Sequence, residues 1–312
     1  MYEHIARKLA AGDTIIIDGA TGTEIQRRGV PMDDEVWCAT ANLTHPDVVR
    51  AVHVDYIRAG AELITTNTFP TSPLLFNALG RDSEVVSIDR EAVAIARQAA
   101  SENGAAIAVA GSFSVMRPVV KGEALATGGP RWTAEQARPL MRAKADGLAE
   151  AGCDLIMMEM MRDCDYSLWA TEAAVATGLP VWVGITVDRR EDGRLAGLGR
   201  TEFVLEDVVT ALMATGAQAC LVMHTEIDLT AESLQVARSQ WSGPLGAYPE
   251  SGYFTMPDWQ FVDIIPPDDF VEECRRWQRL GATILGGCCG IGPEHIRALA
   301  GAPNVARAIR ES

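Results

Sequence analysis

Two adjacent cysteines, Cys288 and Cys289, lie between glycines in the stretch GATILGGCCGIGPEHIRAL. Successive side chains on a regular strand point to opposite faces, so both thiols reach one metal ion only where the backbone leaves strand geometry. Gly286, Gly287 and Gly290 permit that departure, and the next helix is expected to start at about Pro293. A catalytic zinc site has three protein ligands and an open position, whereas a structural one closes with four. Ribbon-type C-x-x-C pairs are absent, so a third ligand has to come from another strand end. His224, closing TGAQACLVMH, is the leading candidate, and Cys220, four residues earlier with the same parity but deeper, is the alternative. A vicinal disulfide or a pair of ordinary core cysteines are the competing accounts; the first closes a strained ring and suits a reducing compartment poorly.

Eight short apolar segments rich in β-branched residues alternate with amphipathic runs, the pattern of parallel βα units. The strands are expected at Thr14–Asp18, Glu62–Asn67, Ala106–Ser112, Asp154–Glu159, Val181–Val187, Ala219–His224, Pro244–Tyr248 and Ala282–Gly287. HPDVVRAVHVDYIRAG, TAEQARPLMRAKADGLAEAG, EFVLEDVVTALMATG and DDFVEECRRWQRLG read as helices. With no Pro/Ser-rich linker, this order predicts an α/β fold, one (β/α)8 TIM barrel occupying residues 1–312 as a single domain. In such a barrel the C-terminal strand ends converge on the face that carries the chemistry. Asp18, Asn67, Ser112, Glu159, Thr186, His224 and Cys288 all stand at or next to such ends.

GGCCG followed by PEHIRAL, the opening IIIDGATGTEIQRRG and the stretch HPDVVRAVHVDYIRAGAELITTNTF together resemble the zinc-dependent homocysteine S-methyltransferases, from about Asp18 to Leu299. The resemblance implies a TIM barrel holding Zn²⁺ through Cys288 and Cys289 plus a cysteine at the end of the sixth strand. Here that cysteine is replaced by His224, and the asparagine before it by Met223. Two thiolates and an imidazole leave a zinc site neutral, where three thiolates leave it at −1; a neutral site suits a reactive donor such as a sulfonium. The resemblance further implies that the Asp18, Gly19, Ala20 turn and Glu159 hold the amino-acid end of homocysteine, carboxylates pairing with an ammonium and backbone N–H groups with a carboxylate. Trp37 aligns with one ring of the aromatic cage of betaine-using relatives, but Pro70 and Met160 stand where tyrosines are expected, which disfavours betaine. Met116, Met160 and Met161 offer a soft wall for a sulfonium methyl. TTNTF is similar to the homocysteine-binding module of cobalamin-dependent methionine synthase.

Lys+Arg 27 against Asp+Glu 42 leaves a formal charge of −15, which argues against a nucleic-acid partner. No apolar run approaches the roughly 18–20 residues of a membrane span. The N-terminal MYEHIARKLAAGD reads as an amphipathic helix rather than a signal peptide, and seven cysteines form an odd count, so a cytoplasmic protein with free thiols is expected. The expected partners are a small thiol acceptor and a methyl donor, with homo-oligomerisation open. The leading function is methyl transfer from a small onium, such as S-methylmethionine, to homocysteine. Methyl-folate or a corrinoid protein as donor, a zinc-water hydrolase or lyase with Glu159 as base, and a non-catalytic zinc barrel are the alternatives.

Overall fold

The computed structural model describes residues 1–103, 106–118, 130–255, 260–303 and 305. Eight parallel strands form one sheet: β1 (Ile15–Ile16), β2 (Leu63–Thr65), β3 (Ala108–Ser114), β4 (Leu155–Met161), β5 (Val181–Ile185), β6 (Ala219–Glu226), β7 (Leu245–Glu250) and β8 (Ala282–Leu285). Each pairs with its neighbour in chain order, and β8 pairs with β1. The circle closes between β1 and β2 through the Ile17–Leu63 bridge, with Glu62 N–H donating to Ile16 O (2.8 Å) and Asp18 N–H to Leu63 O (3.1 Å). The fold is the expected (β/α)8 barrel, and all eight strands fall inside or next to the segments read from the sequence.

Alternation along the strands separates two apolar layers. Residues such as Leu63, Ala110, Met157, Leu221 and Ile284 fill the barrel interior, while Ile64, Val109, Ile156, Val222 and Leu285 pack under the helices. Trp182, fully buried on β5, sits in the interior near the N-terminal end. The helix Tyr2–Ala10 covers that end: Ile5 is buried in the interior cluster, and Trp182 Nε1 donates to the Tyr2 hydroxyl at 3.1 Å. The opposite, C-terminal end of the barrel stays open for ligands.

Three details differ from the sequence expectation. The fifth strand stops at Ile185; Val187–Arg189, Leu195–Gly197 and Arg200–Val204 form a separate antiparallel sheet, so the helix expected from EFVLE begins only at Leu205. PLLFNALG, which by its sequence alone reads as a lid or interface loop after the second strand, contains the helix Pro73–Ala78, whose Leu74, Leu75 and Phe76 are buried. Its hydrophobic content is spent on packing against the helix Asp82–Glu102 rather than on a mobile cover. The companion stretch MPDWQFVDIIPP lies partly outside the described residues; within it, Gln260–Val262 pairs antiparallel with Tyr253–Thr255.

Candidate metal centre

The chain after β8 is fixed by backbone hydrogen bonds to both neighbouring strands. Gly286 N–H donates to Ala247 O (3.1 Å), Gly287 N–H to Asp18 O (3.1 Å) and Cys288 N–H to Pro249 O (2.8 Å), while Cys289 O accepts from Ser251 N–H (2.9 Å). The glycines are needed for close approach: a Cβ on Gly287 would lie 2.2 Å from the Ile291 side chain, and one on Gly290 2.0 Å from Ser251 O. Gly290 also takes φ +81°, a conformation that costs any residue with a Cβ. The backbone thus leaves strand geometry at the glycines, and both sulfurs face one side, 4.0 Å apart.

His224 joins them through a second irregularity. On β6, Ala219, Leu221 and Met223 point into the barrel and Cys220 and Val222 toward the helices, so parity alone would send His224 outward. A φ of +41° at His224 reverses this and turns the imidazole toward the mouth. The kink is held by Thr186 Oγ1 donating to His224 O (2.8 Å) and Thr225 Oγ1 to Met223 O (2.8 Å). His224 Nδ1 lies 3.5 Å from Cys288 Sγ, and the donor atoms of His224, Cys288 and Cys289 all lie within 4.8 Å of one another. Cys220 is fully buried in the layer beneath the helices, so the alternative ligand is ruled out by its direction rather than its depth.

The cluster is electrostatically loaded. Burial works against the imidazolium, but Cys288, Glu250 and Glu159 together hold His224 up at about 9. The contact with Cys289 and burial push the Cys288 thiol well above its ordinary value. Glu250, at the end of β7, places Oε2 3.1 Å from His224 Nδ1. The sequence reading ended that strand at Tyr248 and so missed it, although a polar residue at a strand end was the available signal. Tyr248 itself is buried, with its hydroxyl close to the Glu159 carboxyl.

The cluster opens into a cavity of about 1350 Å³ at the barrel mouth, lined also by Asp18, Gly19, Ala20 and Glu159. Asp18 accepts from Thr65 N–H (2.7 Å) and Thr65 Oγ1 (3.0 Å), yet burial raises it to about 8, with Glu159 adding to the rise. Glu159 accepts from Ser112 Oγ, and burial raises it to about 7. Two buried carboxyls with raised pKa values are suited to ionise against an arriving cation. Ala20 N–H donates to Ile291 O (3.0 Å), so it is committed within the fold and is not the free anion donor that the turn suggested. Asn67 is likewise tied to Cys38 and Asn42. Met116 and Met160 line the cavity, Met160 at φ +55°, but Met161 is fully buried under the helices and belongs to the core. Trp37 lines the cavity edge-on to Phe69, with centroids 6.4 Å apart.

The (β/α)8 barrel gathers an imidazole and two thiols that could hold a metal ion at its C-terminal mouth. The family model for homocysteine S-methyltransferase matches residues 15–302, and the chain belongs to that family of methyl-transferring enzymes. It is 28% identical to the homocysteine S-methyltransferase of Escherichia coli (strain K12), over 92% of this chain and 94% of that one. It is 26% identical to betaine–homocysteine S-methyltransferase 1 of Mus musculus, over 95% of this chain and 74% of that protein. The metallated form of the homocysteine methyltransferase MmuM from Escherichia coli superposes with a TM-score of 0.73 at 27% identity, covering 92% and 96% of the two chains. Among the described residues no helix is long and apolar enough to cross a membrane.

Proposed function

We propose that this chain, acting as one barrel unit over residues 1–312 in the reducing cytoplasm, moves a methyl group from a small sulfonium such as S-methylmethionine to the thiol of homocysteine, forming methionine. The convergence of His224 Nδ1 with the Cys288 and Cys289 sulfurs carries the reading. One nitrogen and two sulfurs are a borderline-soft donor set suited to Zn²⁺, and three protein ligands leave a position for the substrate. Zinc, when bound there, supplies Lewis acidity that makes a thiol acidic near neutral pH. The relatives named for homocysteine support the acceptor.

The protein's own residues then do the positioning. Asp18 and Glu159 take the ammonium of the acceptor and ionise as it arrives, since a nearby cation favours the carboxylate form. Ser112 and Thr65 keep the two carboxyls aimed into the cavity. Met116 and Met160 provide polarizable contact for the sulfonium methyl, and Trp37 a ring face for its charge. The new S–CH3 bond forms as the donor's C–S bond breaks; its electron pair stays on the donor sulfur, which departs as a neutral thioether. The thiol proton has been released before the step.

Metal analysis of Cys288→Ser, Cys289→Ser and His224→Ala, paired with methyl transfer from a panel of donors, tests the reading. Each variant is expected to lose zinc affinity by at least ~100-fold together with thiol methylation. Retention of zinc in His224→Ala would remove the imidazole from the ligand set. Turnover that consumes water without a thiol would favour the hydrolase alternative.

A further inference from the structure

The cavity wall at the ends of β3 and β4 carries two buried cations. Arg162 follows β4 directly and is 6% exposed; Arg117 lies three residues beyond β3 and is 5% exposed; both line the cavity. Arg162 is anchored by Nη1 donating to Leu198 O at 3.1 Å, and its backbone is packed against Gly197 of the antiparallel insertion. Arg117 stacks over the Tyr166 ring, 5.1 Å from its centroid.

The carboxylates nearby are already committed to a third arginine. Arg200 binds Asp163 (2.6 Å), Asp165 (3.1 Å) and Glu202 (2.7 Å). Asp163 also accepts from Ser167 N–H and Asp165 N–H. Among the described residues, no carboxylate lies within 4.0 Å of the Arg162 guanidinium. Burial pulls Arg162 down to about 10; Asp163 opposes this, and Arg117 and Arg200 add to the fall. The group therefore remains a cation at neutral pH without a carboxylate partner among the described residues, a costly arrangement unless something else supplies one.

The acceptor's ammonium is assigned to Asp18 and Glu159, which leaves the guanidinia beyond the ends of β3 and β4 for an anionic group. This wall is continuous with Met116, adjacent to Arg117, and Met160, two residues before Arg162. A plain onium brought to this wall would be repelled by two guanidinia. An onium that also carries a carboxylate would not, because its anionic end neutralises the Arg162 guanidinium while its cationic end lies over the methionines. We propose that Arg162, with Arg117 beside it, forms an anion subsite that takes the carboxylate of a zwitterionic sulfonium methyl donor. The inference rests on the reading of the protein as a sulfonium-dependent thiol methyltransferase, and it makes Arg162 the residue that selects the donor.

The test compares wild type, Arg162→Met and Arg162→Lys with two donors, dimethylsulfonioacetate and trimethylsulfonium, which differ by the carboxylate. Calorimetric binding of 3-(methylthio)propanoate, an anionic thioether that transfers nothing, supplies a readout independent of activity. The wild type is expected to favour the zwitterion in kcat/KM by about 10- to 100-fold, the worth of a charge-assisted contact. Arg162→Met should collapse that ratio to within a few-fold, chiefly through KM for the zwitterion, and weaken the thioether acid by a similar factor; Arg162→Lys should retain part of both. If Arg162→Met does not fold, Arg117→Met is read in the same way. A wild-type ratio near one, or an unchanged ratio in a folded, metal-replete Arg162→Met, overturns the subsite. Should no donor methylate any thiol, the underlying reading fails; the calorimetry still decides the subsite, and undiminished acid binding in Arg162→Met refutes it.

Discussion

Replacing Asp18 by asparagine isolates the cost of a buried carboxyl kept ready for a cation. In the folded, ligand-free protein Asp18 is raised from its ordinary 3.8 to about 8, chiefly by burial, although Thr65 donates to both of its oxygens. An acid whose folded pKa is raised binds more protons in the native state, so unfolding becomes easier as pH rises between the unfolded and folded values. Below pH 3.8 Asp18 contributes nothing to this dependence; above 8 the full penalty is present. A shift of about four units at ~1.4 kcal/mol each sets an upper bound of ~6 kcal/mol, and structural relaxation should leave roughly half. Asparagine mimics the protonated carboxyl: its oxygen accepts from Thr65 N–H, its nitrogen faces a hydroxyl that can rotate to accept, and it has no charge to bury. Urea unfolding of the chelator-treated protein at pH 5, 6, 7 and 8 should show Asp18→Asn gaining on wild type by ~2–3 kcal/mol across that range. The same variant should lose affinity for the amino-acid acceptor, whose ammonium would otherwise draw the proton off. A stability difference flat in pH would refute the argument, because it would mean that Asp18 is ionised and solvated in the folded protein.

Two further outcomes follow from packing beneath and around the site. Lys144 and Asp89 form a fully buried ion pair (2.7 Å), with Lys144 also donating to Thr71 Oγ1 (2.7 Å) and Thr68 O (3.2 Å), beneath the loop after β2. Lys144→Met leaves the Asp89 charge buried without its partner and should cost ~3–5 kcal/mol in urea unfolding, whereas Lys144→Met combined with Asp89→Leu should recover much of the loss. Equal losses in the single and double variants would contradict this. Gly290→Ala forces a Cβ toward Ser251 O and an unfavourable φ; a drop of ~1–3 kcal/mol with weakened zinc retention is expected, read by thermal unfolding and metal titration.

The order of elements was legible because each parallel strand is a short apolar run flanked by amphipathic helices, a pattern that needs no knowledge of the rest of the chain. Gly286, Gly287, Cys288 and Cys289 were legible for a related reason: paired thiols among glycines state a backbone requirement locally. The turn of His224 into the mouth was not, since its strand parity points outward, and only the +41° φ held by Thr186 and Thr225 reverses it. The same outward parity explains why Cys220, which looked eligible in one dimension, lies under the helices, whereas Met161, whose parity points inward, is turned there by the +55° φ at Met160. Tyr248 and Glu250 on β7, Arg162 after β4 and Arg117 after β3 come from three separate strand ends, and no local spacing connects one end with another. Sequence periodicity encodes which face of an element is buried. Which side chains meet across the open end of a barrel depends on closure, on irregular φ values and on what the neighbouring loops have already paired, and these exist only once the chain has folded.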